Sequence, residues 1–178
     1  MKNILKTNGL LIGVATLVVF FDQLTKTLVR QHLTLGESWM PLKWLEPFAR
    51  IVHWHNTGAA FGIFQNGNLV LKVLSMVIAI AILVYFQKVD RKDTLARVAL
   101  SMQFGGALGN LADRFKLGHV TDFISIGTFP VFNVADANVT VGVALLVLAI
   151  ILQERKATRS LEATSAAEVE KNGEQSKG

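Results

Sequence analysis

The sequence predicts an all-α membrane protein with four transmembrane helices. Apolar residues make up 51% of its 178 residues and charged residues only 17%, a composition that fits a water-soluble domain poorly. Four apolar runs are long enough to cross a hydrocarbon core of about 30 Å, at about 1.5 Å per helical residue. The basic residues outside these runs are concentrated in alternate segments, as in multi-pass membrane proteins.

The predicted spans cover residues 9–29, 68–87, 95–112 and 134–153. Two outer segments, 30–67 and 113–136, and a short charged loop join them. A cleaved signal peptide over residues 1–21 is the alternative for the first run, but no small-x-small cleavage site ends it. We therefore predict a single four-span domain over residues 1–159. Residues 160–178, rich in Glu, Ser, Ala and Lys, are predicted to be a disordered cytoplasmic tail.

The distribution of Lys and Arg predicts the orientation of the chain. Eleven lie in the amino-terminal tail, in the loop 88–97 and after Glu154, whereas segments 30–67 and 113–136 hold three and two. Because basic segments resist translocation, both termini should face the cytoplasm. This asymmetry explains the net charge of +5, so we do not interpret that charge as nucleic-acid binding. The chain has no cysteine, which excludes disulfides, thiolate zinc sites and a thiol nucleophile.

Segment 30–67 is amphipathic, and its aromatic residues are Trp39, Trp44, Phe48, Trp54, Phe61 and Phe64. Such rings favour the headgroup zone, so this segment should lie on the membrane surface. Residues 50–55 alternate as a strand does, and Asn56-Thr57-Gly58 is a turn signal. The pattern leaves open whether the segment is an interfacial belt or also holds a ligand.

Gly105 and Gly109 in the third span have the spacing that lets two helices approach closely in lipid. We interpret them as packing residues rather than catalytic ones. Close packing at this point would draw the outer end of the third span toward a neighbouring helix, and the polar residues that follow would then converge on one site.

Four aspartates near the membrane need an explanation, because a carboxylate at bilayer depth costs about 2.5–3.5 kcal/mol. Asp22 has Lys26 four residues later on the same helical face, which predicts a self-paired anchor near the outer interface. Asp113 is followed directly by Arg114, and neighbours in a helix do not face each other. A wider structural ion network is therefore expected around Asp113.

Asp122 and Asp136 differ from these because neither has a local cation. Taken singly, Asp122 fits a turn residue and Asp136 a first-turn helix carboxylate. Together they lie on one side of the membrane, fourteen residues apart across a chain reversal. Within about 4 Å, two such charges would repel by about 4 kcal/mol at an effective dielectric of about 20, so one would keep a proton. A pair that shares one proton can activate water and protonate a leaving amine.

Polar residues near these aspartates are candidates for binding. Asn56, Asn110 and Asn133 suit a peptide backbone or an oxyanion, and Arg114 suits a carbonyl-rich head group. Helix capping by Asn133 and interhelix bonding by Asn110 are the structural alternatives. His53 and His55 share a predicted strand face and could touch a metal, but two ligands make a weak site, and we expect no metal and no cofactor.

Five short motifs follow one another along the predicted spans. They are Asp22-Gln-Leu-Thr-Lys26, Asn56-Thr-Gly-Ala-Ala-Phe61, Gly106-Ala-Leu-Gly-Asn110-Leu-Ala-Asp113-Arg114, Val120-Thr-Asp122-Phe123 and Phe132-Asn133-Val-Ala-Asp136. In this order they resemble the lipoprotein signal peptidases, also called signal peptidase II. The resemblance extends over about residues 10–155, and none of the motifs departs from the family pattern.

The resemblance implies an aspartic endopeptidase of the bacterial cytoplasmic (inner) membrane that cuts diacylglyceryl-modified prolipoproteins just before the lipidated cysteine. By position, Asp122 and Asp136 match the family's catalytic pair. Asp22 and Lys26 match a first-span motif of structural or lipid-proximal role. The positions that match its substrate-binding residues are Asn56, Asn110, Arg114 and Asn133.

The resemblance also implies a small extracytoplasmic β-cradle and a surface helix over the active site, where a lipid-modified substrate enters from the bilayer. We expect a monomer that contacts membrane lipid and binds no nucleic acid. Two other functions remain open. A proton-coupled transporter also uses buried carboxylates, but spreads them through the membrane depth. A scaffold or lipid-binding subunit needs the Asn and Arg residues but no carboxylate pair.

Overall fold

A computed structural model gives the backbone of residues 2–46, 48–58 and 68–175, and the side chains of residues 8–46, 48–58 and 69–159. Within these residues the protein is mostly helical, with one small sheet. The helices are α1 (Lys2–His32), α2 (Asn68–Phe86), α3 (Thr94–Lys116) and α4 (Val134–Gln175). The strands are β1 (Ser38–Trp39), β2 (Ala49–Asn56) and β3 (Val120–Ile126). The predicted helical fold with a small sheet is therefore confirmed.

Three of the helices in the described residues are long and apolar enough to cross a membrane: Asn8–His32, Leu69–Phe86 and Val134–Arg159. Large apolar side chains on their outer surfaces, such as Leu17, Phe20 and Val77, are more than half exposed. With 23 residues, α3 is also long enough, but it is less apolar than the others. It packs against α1, α2 and α4, so its polar side chains can face protein instead of lipid.

Glycines bring α3 close to α1. A β-carbon on Gly105 would lie 2.8 Å from Cβ of Val18, and one on Gly109 would lie 2.6 Å from Oδ2 of Asp22. Side chains do not tolerate such distances, so a larger residue at either position would push the helices apart. The interpretation of these glycines as packing residues is confirmed.

The antiparallel sheet has the order β1-β2-β3 and packs against α1 and α3. In the register of β2 with β3, Trp54 lies opposite Asp122 and Asn56 opposite Val120. The strand predicted over residues 50–55 is confirmed as part of β2. The predicted turn is present as well, because the N–H of Gly58 donates to Oδ1 of Asn56 at 3.0 Å, which is an Asx turn.

Aromatic side chains of the segment between α1 and α2 are 53–71% exposed, namely Trp39, Trp44, Phe48 and Trp54. The predicted surface helix is absent from the described part of this segment, where residues 41–46 form consecutive bends and turns. Pro41 and Pro47 leave only a few residues between them, too few for a stable helix. Pro47 and residues 59–67, including Phe61 and Phe64, lie outside the described residues.

The last helix continues further than the sequence predicted. Residues 160–178 were expected to be disordered because they are polar, yet α4 runs as a helix to Gln175. This stretch contains Ala, Leu, Glu and Lys, which are strong helix formers, and no proline interrupts it. Intrinsic helix propensity accounts for the difference.

Candidate active site

A chain reversal between β3 and α4 brings Asp122 and Asp136 close to the same residue, Asn133. The N–H of Ile124 donates to the carbonyl of Phe132 at 2.8 Å and so returns the chain to β3. The next residue, Asn133, donates its side-chain amide to Oδ1 of Asp122 at 2.7 Å and its backbone N–H to Oδ2 of Asp136 at 3.2 Å. The two carboxylates therefore share Asn133 as a hydrogen-bond donor.

Asn133 is also the N-cap of α4. Its Oδ1 accepts the N–H of Asp136 at 3.0 Å, while the carboxylate of Asp136 accepts the N–H of Asn133. This reciprocal arrangement resembles a capping box. Capping by Asn133 and a first-turn position for Asp136 are thus both confirmed, and they agree with a site role, because the cap fixes the carboxylate in place.

Two further amides complete what we call the amide cage, formed by Asn56, Asn110 and Asn133. Nδ2 of Asn56 donates to Oδ2 of Asp122 at 2.8 Å, and Nδ2 of Asn110 donates to Oδ1 of Asp136 at 2.7 Å. All four oxygens of the two carboxylates therefore accept an N–H from a neutral residue. The structure brings together both predicted aspartates and all three predicted asparagines.

The two aspartates have different surroundings. Asp122 is 1% exposed, whereas Asp136 is only partly buried. Burial, followed by the charge of Asp136, raises the pKa of Asp122 from 3.8 to about 7, although the amides of Asn56 and Asn133 oppose this rise. A carboxyl group with such a pKa is partly protonated at neutral pH. The site therefore contains a carboxyl group that can gain or lose a proton near neutral pH, under the influence of a second carboxylate.

The other two aspartates belong to an ion network with Lys26 and Arg30. Nζ of Lys26 lies 2.9 Å from Oδ2 of Asp22 and 3.3 Å from Oδ2 of Asp113, and all three side chains are at most 1% exposed. The predicted ion pair and the predicted wider network are confirmed. Asp22 also makes a contact that the sequence did not predict. It is fully buried, and its Oδ1 accepts the N–H of Ala135 in the first turn of α4 at 3.0 Å.

Gln23 is a member of this region that the sequence did not single out. Its Nε2 lies within hydrogen-bond distance of Oδ2 of Asp22 at 3.1 Å, the carbonyl of Gly109 at 3.1 Å and Oδ1 of Asp113 at 3.0 Å. It thereby ties α1 to α3 beside the ion network. The available signal was its position inside the Asp22-to-Lys26 motif.

Arg114 lies beside the aspartate pair but reaches another helix. Its Nη1 lies 3.5 Å from Oγ of Ser75 in α2. Its guanidinium interacts electrostatically with Asp136 and Asp122. Arg114 thus adds positive charge next to the amide cage.

Three of the histidine rings lie close to one another. The rings of His53 and His55 lie close together, with centroids 5.1 Å apart, and His119, which the sequence did not single out, stacks on His55. In the described part of the chain, no group of three His, Cys, Asp or Glu side chains is arranged to hold a metal ion.

The family model for signal peptidase (SPase) II matches residues 14–152, which include the amide cage and the ion network. The chain belongs to the signal peptidase II family. Lipoprotein signal peptidase from Halalkalibacterium halodurans is 38% identical over 154 residues, covering 84% of this chain and 97% of the relative. The protein of that name from Symbiobacterium thermophilum is 40% identical over 151 residues, covering 83% and 97%.

The chain also resembles solved structures in fold. Two are described as bacterial membrane enzymes determined by the in meso method. One has a TM-score of 0.76 at 35% identity and covers 82% of this chain and 90% of its own. The other has a TM-score of 0.72 at 36% identity and covers 80% and 92%. The family resemblance carried by the five motifs is therefore confirmed, and the transporter alternative is not supported.

Proposed function

We propose that this chain is a membrane aspartic endopeptidase that removes the signal peptide from diacylglyceryl-modified prolipoproteins, cutting just before the lipidated cysteine. Membership of the signal peptidase II family supports this substrate class. The observation that carries the assignment of Asp122 and Asp136 as the catalytic pair is the amide cage, in which neutral donors hold all four carboxylate oxygens.

Peptide hydrolysis by this pair requires a base and an acid at the same time. The ionised carboxylate takes a proton from the water that attacks the scissile carbonyl carbon, and the protonated one gives its proton to the leaving amine. No covalent intermediate and no metal enters this scheme. Because the shared proton belongs to the pair, neither aspartate alone is named as the base.

The three asparagines and Arg114 line the site around this pair. Asn56, Asn110 and Asn133 position the carboxylates and present the rest of their amides to the substrate backbone. Arg114 acts on both aspartates electrostatically, and its guanidinium suits the carbonyl groups of the substrate's lipid-modified head. We assign substrate binding to these four residues on that basis.

We further propose that all four helices span the bacterial cytoplasmic membrane, with both termini in the cytoplasm and the site near the outer face. The polar cluster forms where α1 and α3 end and α4 begins, and these ends lie on one side if successive spans alternate. The segments that meet there, 30–67 and 113–136, hold only three and two basic residues. Basic-poor segments are the ones that translocate readily.

The sheet and the exposed aromatic side chains provide a route for a lipid-modified peptide. Trp39 and Trp54 lie on β1 and β2 and are 55% and 53% exposed, next to the strand that carries Asp122. Rings of this kind sit among lipid headgroups, so the substrate can enter sideways from the bilayer. The amide cage is built from one chain, which supports a monomer as the active unit.

A processing assay tests the catalytic assignment. The purified chain is incubated with a prolipoprotein that carries the diacylglyceryl cysteine, and the shortened product is measured by mass spectrometry. Asp122→Asn and Asp136→Asn should each lower the rate by about 10²–10⁴-fold, the usual contribution of acid–base catalysis. Asp90→Asn is the matched control, because Asp90 is exposed in the loop between α2 and α3.

Wild-type rates in both single variants would contradict the catalytic pair. No product from the wild-type chain would favour the scaffold alternative. Strong inhibition by EDTA that zinc reverses would instead favour metal chemistry at the histidines.

Labelling tests the proposed topology in a chain that has no cysteine of its own. A membrane-impermeant maleimide added outside intact spheroplasts should label Lys43→Cys, in the segment before β2. It should label Lys88→Cys, in the loop after α2, only after the membrane is permeabilised. The opposite pattern would reverse the orientation, and labelling of both from outside would contradict the four-span arrangement.

A further inference from the structure

Three histidine rings lie in a row at the end of β2 and the start of β3. The rings of His53 and His55 have centroids 5.1 Å apart and planes at 73°. His119, the residue before β3, stacks on His55 with centroids 3.6 Å apart and planes at 28°. The proposed chemistry uses none of them.

His55 and His119 stack where β2 ends and β3 begins, beside the proposed catalytic site. In the register of β2 with β3, Asn56 lies opposite Val120, so His55 and His119 each precede a residue of this last strand pair. Asn56 is also the residue that donates to Oδ2 of Asp122 at 2.8 Å. The position of that amide therefore depends on the end of β2 being held against β3.

Two further basic residues face this stack, one from α1 and one from β2. Arg30 of α1 and His53 of β2 both interact electrostatically with His55 and with His119. Asp113 of α3 is a carboxylate that faces His119, but it is already engaged in the ion network. If both stacked rings were protonated, they would repel each other and would also be repelled by the positive charge of Arg30.

The surroundings favour neutral rings. Burial, and then the charges of His119, His53 and Arg30, lower the pKa of His55 below 6.5. Burial also lowers the pKa of His119, although Asp113 and a backbone hydrogen bond at Leu117 oppose this. Neutral imidazoles can stack face to face, whereas two imidazolium ions at this distance repel.

We propose that His55 and His119 are positioning residues whose stack holds the Asn56 amide on Asp122 and releases it when acid protonates the rings. The proposal rests on the proposed function, since its consequence is a loss of peptidase activity. Because the stack lowers the histidine pKa values, the rings bind more protons when the stack is broken than when it is formed. The stabilising effect of the stack is therefore complete above about pH 6.5 and is lost as the pH falls below that value.

The test compares cleavage rates at about pH 7.5 and about pH 5.5, on either side of the ordinary histidine pKa. In H55F/H119F two aromatic rings still stack, but they cannot take a proton. His32→Phe is the matched control, because His32 is exposed at the end of α1 and its ring contacts the carbonyl of Leu28. The aspartate pair titrates in all three proteins, so only the difference between their pH profiles is assigned to the stack.

Wild type and H32F should lose about tenfold more activity between the two pH values than the double variant, since one hydrogen bond to a catalytic carboxylate is lost. The change should appear in kcat rather than in KM. His119→Lys, which places a permanent charge beside His55, should show the low activity already at about pH 7.5.

Hydrogen exchange measures the stack without relying on activity. After correction for intrinsic rates, exchange in residues 53–58 should speed up on acidification in the wild type and not in H55F/H119F. If the double variant does not fold, the wild-type exchange profile and His119→Lys decide the question.

Equal pH profiles for the wild type and H55F/H119F would overturn the proposal. A uniform loss in the double variant at both pH values would overturn it too, because the stack would then be structural without sensing protons. A wild type that cleaves at no pH contradicts the proposed function instead, and the exchange measurement still decides the stack.

Discussion

The two buried polar clusters of this protein hold their carboxylates in opposite ways. In the ion network, Asp22 and Asp113 are matched by cations, with Lys26 at 2.9 Å and 3.3 Å from their carboxylate oxygens. In the amide cage, the carboxylate oxygens accept hydrogen bonds from neutral asparagines. The clusters adjoin, and Asn110 belongs to both.

The ion network is a structural element. Its cations compensate two buried carboxylates and hold α1 and α3 together. Neutral amides also fix the position of a carboxyl group, but they lower its pKa less than a nearby cation would. Asn110 joins the two arrangements, because its Oδ1 accepts from Lys26 at 2.9 Å while its Nδ2 donates to Asp136 at 2.7 Å.

Removing the central cation of the ion network should have the largest effect on stability. Lys26→Met removes the cation nearest to two buried carboxylates and should lower the free energy of unfolding by about 3–5 kcal/mol. Denaturant or thermal unfolding in detergent measures this. Lys88→Met is the control, since Lys88 is exposed and should change stability by less than about 0.5 kcal/mol. Equal stability of the two variants would remove the structural role assigned to the network.

The amide cage should instead give stability a pH dependence. The pKa of Asp122 is about 7 in the folded chain against an ordinary 3.8, so the folded state binds this proton more tightly than the unfolded state. The corresponding stability is fully present below about pH 4 and is lost as the pH rises through about 7.

Asp122→Asn removes this dependence. Its melting temperature should match that of the wild type near pH 4 and exceed it by about 9–17 °C near pH 8. Unfolding curves in detergent across this range measure the difference. A constant offset between the two proteins at every pH would mean that Asp122 is already ionised in the fold.

A smaller effect is expected where a helix contact supports the ion network. Gly109→Ala would place a β-carbon 2.6 Å from Oδ2 of Asp22 and should destabilise the fold by about 1–3 kcal/mol. Gly13→Ala is the matched control, because nothing lies within 4 Å of its β-carbon, and it should stabilise α1 by about 0.5–1 kcal/mol. A neutral Gly109→Ala would show that α1 and α3 can move apart without cost.

Features with a local signal were predictable from the sequence. The four-residue spacing of Asp22 and Lys26 predicted their ion pair, and the spacing of Gly105 and Gly109 predicted a close helix contact. The alternation over residues 50–55 predicted most of β2. Each of these features depends on residues that lie only a few positions apart, so their spacing in the sequence is enough to predict it.

Contacts between distant segments were not predictable. Asp22 caps α4 through Ala135, 113 residues away, and this contact depends on how three helices pack. Motif order selected Asp122 and Asp136 but said nothing of which amide meets which oxygen. The stack of His119 on His55 was missed for the same reason, because it exists only once β2 and β3 pair.

The position of Asn133 at the start of the last helix has a consequence for biosynthesis. Until α4 emerges from the ribosome and inserts, the nascent chain carries Asp122 without Asp136 and without the asparagine that holds both. On the proposed assignment, an incomplete copy therefore has no assembled catalytic pair. Activity should appear only once the last span has inserted and brought Asn133 and Asp136 to Asp122.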